Sequence, residues 1–349
     1  MYDSPMIGGS RKEDNSGGGA CPNNVQGAAP FFIVGAGRSG TTLLQAMLMR
    51  QPRIAIPPET HFFCRFDPSI HFSDPLRDDQ VEQYAAWATS QPWWMELGLD
   101  AKALRTHIDD GGRSAASILL WMLRTLTNEC APRLGEKTPR HEKRLARILE
   151  VFPDAKIIHI YRDPRDVVAS LQREPWMAGQ SVQRVARHVR GTLARQRAAA
   201  RQLGPDRYAV IRYESLVAQP ERELRRLCAF LGETFCEEML RFHERAEPGY
   251  LPSEAAWKHL TMAPLDPSRH GRYRTLLSLR DIRTVERVVG PQLSAYDYER
   301  EPGEPDRLVW RASAMLERTG WWVKRLARSA RKRLRTVHIM AVSSGGASL

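Results

Sequence analysis

Lysine is scarce in this chain, with 8 among 349 residues against 44 arginines. Apolar runs are short, and none approaches the roughly 20 residues that a membrane-spanning helix needs. Cysteines number five (Cys21, Cys64, Cys130, Cys228, Cys236), an odd count with no C-x-x-C pair. This argues against a disulfide framework or a zinc site, and for reduced thiols in a cytoplasmic protein. Residues 1–28 lack an apolar core and are rich in Gly, Ser and Asn, so they are expected to be disordered and to be neither a signal peptide nor an anchor. Charged residues are absent from 336–349. The net charge of +12 is also absent from most of the chain: Arg307 to Arg335 holds ten Lys/Arg against Glu317, which leaves residues 1–306 at +3. The basicity belongs to one terminal segment and not to the body, which makes nucleic acid the weaker partner.

The most informative absence is a single lysine. Phe31-Phe32-Ile33-Val34 reads as a short buried strand and runs into Gly35-Ala36-Gly37-Arg38-Ser39-Gly40-Thr41-Thr42. A nucleoside-triphosphate P-loop is G-x-x-x-x-G-K-S/T, and here Thr41 stands in the lysine position. Glycine-rich backbone opening a helix still makes an anion cradle, because unpaired N–H groups and the helix dipole point at the ligand. Without the lysine the loop grips a phosphate but suits ATP or GTP poorly.

Along the chain, Thr41 to Arg50, Arg140 to Phe152, Ser181 to Leu203 and Pro220 to Leu231 are patterned as helices. Asp163-Pro164 opens another helix with a cap and a first-turn proline, and Ser278 to Asp281 resembles a capping box before a helix to Val289. Strands are expected at Lys156 to Tyr161 and Tyr208 to Arg212. This alternation predicts an α/β, P-loop-like three-layer fold with a central parallel sheet flanked by helices. Residues 67–130, with Trp87, Trp93, Trp94 and Trp121, read as helices and loops. The expected division is a disordered segment 1–28, a catalytic domain 29–302, and a basic amphipathic helix and tail 303–349.

Four segments carry the chemistry: Gly35 to Leu44, Pro57-Pro58-Glu59-Thr60, Gly135 to Arg140, and Tyr161 to Ser170. Together they resemble the sulfotransferases that use 3′-phosphoadenosine 5′-phosphosulfate (PAPS), over most of residues 30–300. Within that group the chain is similar to the bacterial branch that shares motifs with the tyrosylprotein sulfotransferases, where an R-S-G-T-T-L loop is followed at this spacing by an E-T loop. The resemblance implies transfer of a sulfuryl group from PAPS, a co-substrate, to a hydroxyl, with release of adenosine 3′,5′-bisphosphate and no metal.

PAPS carries anions at both ends of its nucleoside. The loop residues Gly37, Arg38, Ser39, Gly40, Thr41 and Thr42 would take the 5′ end through amides and hydroxyls. Arg162 and Ser170 would take the 3′-phosphate, arginine giving bidentate recognition. Glu59 is the candidate general base, since the acceptor oxygen must lose a proton as it attacks; His61 is its competitor. Lys137 would stabilise charge on the leaving phosphate, with Arg38 assisting on the sulfuryl oxygens. Tyr213 stands either beside the nucleotide or in the core. Where the tyrosylprotein-type enzymes have Lys-Pro, this chain has Ala263-Pro264, so a basic lid would come from nearby residues, with Arg269 and Arg272 as candidates. The acceptor is a hydroxyl-bearing small molecule, carbohydrate, lipid or protein tyrosine, and the aromatics of residues 60–130 are expected to line its pocket. The segment 307–335 suits an anionic membrane surface, which makes a peripheral location compatible with a cytoplasmic protein. Two competing readings are a degenerate P-loop kinase or NTPase, and a non-catalytic nucleotide-binding module acting through its tail.

Overall fold

The structure, a computed structural model, describes residues 29–65, 75–127, 131–244 and 249–302. Residues 1–28 and 303–349, for which disorder and a basic amphipathic helix are expected, lie outside the described residues. Strands β1 (Phe31–Gly35), β2 (Ile54–Ala55), β3 (Arg133–Lys137), β4 (Ile157–Tyr161) and β5 (Tyr208–Arg212) make one sheet in the order β2-β3-β1-β4-β5. Every pairing is parallel. The expected three-layer architecture is present.

Both faces of the sheet are apolar, as a parallel sheet between helices requires. The alternation of β1 shows it. Phe31 and Ile33 join Leu44, Met47, Ile158, Ile160, Leu224 and Leu227 on one face, while Phe32 and Val34 join Leu119, Met122, Ile157 and Phe152 on the other. Helices α1 (Thr41–Leu48), α2 (Pro164–Leu171), α3 (Val182–Leu203), α4 (Pro220–Leu231) and α5 (Leu279–Val289) follow the helical pattern closely. Asp163 caps α2 by accepting the Arg165 N–H at 2.8 Å, and Ser278 caps α5 by accepting the Asp281 N–H at 3.1 Å.

Three differences from expectation have physical causes. β2 is too short to give a period. β3 reads Arg-Leu-Gly-Glu-Lys, and its last two residues are buried charges, the reverse of an apolar-run signal. Gly135 within it is a packing requirement, because a Cβ there would meet the Phe31 ring at 2.5 Å. The expected helix from Arg140 to Phe152 is split into a 3-10 turn, Pro139–Lys143, and a helix, Leu145–Val151, with His141 turned into the interior. Three described cysteines, Cys64, Cys228 and Cys236, are free thiols. Among the described residues no helix is long and apolar enough to cross a membrane.

Candidate active site

The carboxyl ends of parallel strands are where α/β sheets bind ligands, and here the loops after β1, β2, β3 and β4 bring the four chemical segments together. After β1 the chain turns with Arg38 at φ 71° and Gly40 at φ 99°, both left-handed. For a non-glycine residue this conformation costs about 1–2 kcal/mol. Alternating handedness points successive N–H groups the same way, which forms an anion-binding concavity at the start of α1. Gly40 is also sterically required, since a Cβ would lie 2.5 Å from Tyr213. Gly37 is different: its φ is not left-handed, and the nearest atom to a Cβ would be Leu171 at 3.8 Å. Nothing inside the fold demands glycine there, whereas close approach of a ligand to the backbone does.

The loop's hydroxyls do not all face outward. Ser39 is fully buried, and its Oγ donates to the Ala36 carbonyl at 2.6 Å. It therefore shapes the loop, and its side chain is not presented to a 5′-phosphate as the sequence reading expected. Thr41 is buried and Thr42 half-buried.

After β4, Arg162 stacks over Tyr213, its guanidinium carbon 4.3 Å from the ring centroid. Burial raises the Tyr213 pKa, and the ring serves as a floor for Arg162 and a wall for Gly40. Tyr213 is a core residue, and it packs against both Arg162 and Gly40. Arg162 Nη2 donates to the Arg269 carbonyl and lies 3.6 Å from Asp166, but its Nε is buried with no partner. An orphaned buried guanidinium N–H is costly, and an anion bound there would satisfy it.

Ser170, on α2, accepts the Arg38 Nε at 3.0 Å. Arg38 also lies 3.2 Å from Glu174 and donates Nη1 to the Trp257 carbonyl at 3.0 Å. The resting side chain of Arg38 thus contacts Ser170, assigned to the 3′ end, and not the base and lysine with which it was grouped. Asp166 fixes the chain above Arg162 by accepting N–H from Gly271 (2.7 Å) and Tyr273 (2.9 Å). In that segment Arg269 offers Arg162 its carbonyl, with its guanidinium 3.1 Å from Asp266; Arg272 is exposed.

The second half of the site is a buried charge cluster. Lys137, at the end of β3, is fully buried and donates to Glu59 Oε1 at 2.7 Å. Lys258 donates to the same oxygen, also at 2.7 Å, and bonds Glu254 one helical turn back. Burial alone would push the Glu59 carboxyl up, but Lys137 and Lys258 hold it well below the usual carboxylate range. Burial lowers the Lys137 ammonium to about 8 against the pull of Glu59. His61 Nε2 is 3.7 Å from Glu59 Oε2, and burial brings its pKa down to about 4, so it is neutral at physiological pH. Lys258 is likewise desolvated, yet Glu59 and Glu254 raise it.

The loops that carry Glu59 and Lys137 are fixed by a neutralised network beneath them. Glu136 points away from its neighbour Lys137, as strand alternation requires. Its Oε1 accepts Thr60 at 2.9 Å and Thr138 at 2.6 Å, and Oε2 lies 2.7 Å from His141 Nδ1. One carboxylate thereby ties the residue after Glu59 to the residue after Lys137. Gln45 of α1 adds a further tie by donating to the Pro57 carbonyl at 2.9 Å.

Sequence reasoning missed Lys258, Glu136, Gln45 and Asp166. Only Lys258 left a signal: in a chain with so few lysines, the rarity that marks Lys137 marks it equally. The tryptophans expected to line an acceptor pocket are largely structural. Trp94 and Trp93 are buried, Trp94 stacks on Trp121 at 6.1 Å, and Trp93 meets Trp87 at 6.5 Å. The exposed aromatic near the site is Trp176, edge-on to Trp257 at 4.9 Å.

A glycine loop without its lysine, an arginine with an orphaned N–H, and a carboxylate clamped by lysines thus meet at the carboxyl end of a parallel α/β sheet. The chain belongs to the sulfotransferase family, whose model matches residues 30–237. It is 32% identical over 321 residues to an omega-hydroxy-beta-dihydromenaquinone-9 sulfotransferase of Mycobacterium bovis, covering 80% of this chain and 78% of that protein. It is 28% identical over 221 residues to a protein-tyrosine sulfotransferase of Drosophila melanogaster. That match covers 61% of this chain but spans only 40% of the Drosophila protein's length. Among solved structures, the sulfotransferase domain from the Synechococcus PCC 7002 olefin synthase superposes with a TM-score of 0.54 at 23% identity, covering 80% of this chain and 98% of that one. At that identity the likeness speaks for the fold.

Proposed function

We propose that this sulfotransferase moves the sulfuryl group of PAPS to a hydroxyl acceptor and releases adenosine 3′,5′-bisphosphate. The observation that carries the reading is the 2.7 Å contact between Lys137 and Glu59, a fully buried cation meeting a half-buried carboxylate. The residues fit the donor, because the open face of Gly37 leaves room for a phosphate against the backbone and the orphaned Arg162 Nε lacks an acceptor.

PAPS supplies an activated sulfur, to which the acceptor oxygen bonds as the bond from sulfur to the bridging phosphate oxygen breaks. Glu59 takes the acceptor's proton. Lys137 places an ammonium where negative charge grows on the leaving oxygen, in a site dry enough for that charge to count. Arg162 and Ser170 hold the 3′-phosphate, with Arg38 beside them; the N–H groups of Gly37 to Thr42 hold the 5′ end. Neutral His61 is the competing base; Glu59 takes the assignment on its position against Lys137, not on basicity.

The acceptor classes are a small molecule, a carbohydrate, a lipid or a protein tyrosine. The relatives named above act on a menaquinone derivative and on protein tyrosine, which keeps the last two foremost. A catalytic domain over 29–302, with a basic tail 303–349 on an anionic membrane surface of a bacterial cytoplasm, completes the proposal. Truncation at 302 should spare transfer to a soluble acceptor and abolish liposome binding.

The donor assignment is tested by thermal shift. Adenosine 3′,5′-bisphosphate should raise Tm strongly, because a ligand that binds only the folded state stabilises it by mass action. ATP, lacking the 3′-phosphate, should raise it far less. Equal shifts would return the chain to the kinase-like reading. Labelled sulfate transfer from PAPS to a panel of hydroxyl acceptors then identifies the substrate class.

A further inference from the structure

Glu59 is bonded to two ammonium groups, and the reaction accounts for one. Lys258 is the other, and its setting differs from that of Lys137. It ends the four-residue helix Ala255–Lys258, between 3-10 turns at Pro252–Glu254 and His259–Met262. Across 252–262 Lys258 is the only buried residue. Leu260 and Met262 are each 38% exposed, so apolar packing contributes little to keeping this segment in place. Its ties to the site are polar: Lys258 Nζ on Glu59 Oε1, and, one residue earlier, the Trp257 carbonyl on Arg38 Nη1, while the Trp257 ring meets Trp176 at 4.9 Å. Neighbouring residues of one thinly packed segment thus touch the candidate base and the arginine of the donor loop.

We propose that Lys258 is a positioning residue that clamps Glu59 in the donor-free enzyme and releases it when an anion on the Arg38 loop displaces the Trp257 carbonyl. This rests on the reading of Glu59 as base. A phosphate or sulfate oxygen is a stronger acceptor for a guanidinium than a neutral carbonyl, so an arriving donor competes successfully for Arg38. Release does not strand a buried cation, because Lys258 already bonds Glu254 on its own helix. Lys137, fully buried, bonds Glu59 and stays at the reacting centre. The clamp keeps the base paired when no donor is bound and ties its exposure to donor loading.

The titratable and charged groups facing Glu59 are neutral His61 on its own loop, Arg65 on the following helix, Lys137 on β3, and Lys258 with Glu254 behind it. The test is a ¹³C NMR titration of the Glu59 carboxyl, assigned with Glu59→Gln, in the full chain with and without adenosine 3′,5′-bisphosphate. Lys258→Met should raise the Glu59 pKa in the free protein by about one to two units, the effect of losing one adjacent opposite charge. In the wild type the bisphosphate should raise the Glu59 pKa, through its own charge and through release of Lys258; in Lys258→Met only the first effect survives and the rise should be smaller. Equal bisphosphate-induced rises in the two proteins overturn the proposal. If the methionine variant does not fold, Lys258→Gln gives the same comparison, and a wild-type titration in it likewise overturns the clamp. None of these readouts needs turnover. Full transferase activity in Glu59→Gln would remove the base assignment while leaving the titration result intact, so the two failures are distinguishable.

Discussion

The two ends of the site are built on opposite electrostatic plans. At the donor end Arg38 and Arg162 converge near Ser170 with Glu174 the acid on Arg38, Arg162 retains an orphaned Nε, and Gly37 leaves backbone uncovered. At the base end two lysines meet two carboxylates, Glu59 and Glu254, and every ammonium has a partner. The first leaves polar groups and backbone that an anion would satisfy. The second is a closed cluster, self-satisfied until something opens it. Binding and chemistry should therefore respond to different mutations, with little overlap.

The largest separation is expected at Glu59. Glu59→Gln should lower turnover by roughly 10²–10⁴-fold, the usual contribution of a general base. Its amide oxygen still accepts from both lysines, so folding and bisphosphate affinity should stay near wild type. Calorimetric titration with the bisphosphate beside steady-state rates checks this. Equal losses in both would mean that the two ends are one unit.

Lys137→Ala should cut the rate by roughly 10²-fold or more, as for removal of one transition-state donor. Lys137→Arg should not restore it fully, because a planar guanidinium does not reproduce a compact ammonium. The wild type should also carry a pH signature. With its pKa lowered to about 8 by burial, Lys137 loses its proton above that pH, and kcat/KM should fall on an alkaline limb there. Bound donor, being anionic, favours the ammonium, so the corresponding limb in kcat should lie higher. Lys137→Arg should lack the limb altogether.

At the opposite end, Arg162→Ala should weaken bisphosphate binding by roughly 2–3 kcal/mol, the scale of a lost charge-assisted contact. Turnover at saturating donor should change less than affinity. A mutant with normal affinity and a collapsed rate would place Arg162 with the chemistry instead.

The unequal legibility of these two ends in the sequence has a physical reason. The donor end is local in sequence. The Gly35–Thr42 loop and the Arg162–Ser170 turn each join a strand to a helix, so strand pattern, glycines and caps announce them. The base end is assembled across distance. Glu59, Lys137 and Lys258 come from a loop, a strand end and a short helix 78 and 199 positions from Glu59. β3 escapes periodicity because it ends in buried Glu136 and Lys137, charges that burial rules assign to the surface. Glu136 reads as a salt-bridge partner of Lys137, and only the pleat of the strand shows that it faces the other way, toward Thr60 and His141. The tryptophans of 67–130 mislead for the converse reason: an indole is as much a core filler as a stacking surface, and composition does not distinguish them.

The smallest expected effect bears most directly on the contrast between an open and a closed end. Gly37 and Gly40 lie three residues apart in one loop, yet glycine is there for different reasons. At Gly40 a methyl would lie 2.5 Å from the Tyr213 ring and force a left-handed alanine. Gly40→Ala should therefore destabilise the fold by roughly 1–3 kcal/mol, with a lowered Tm in the absence of any ligand. At Gly37 the same methyl meets only Leu171 at 3.8 Å, an ordinary contact. Gly37→Ala should leave the ligand-free Tm within the roughly 0.5 kcal/mol typical of neutral substitutions. Its cost should appear only when the 5′-phosphate end is bound, as weaker affinity for the bisphosphate and for PAPS. An alanine at 37 that binds both as tightly as the wild type would show that the ligand does not lie against this backbone, and the open end of the site would have to be sought elsewhere.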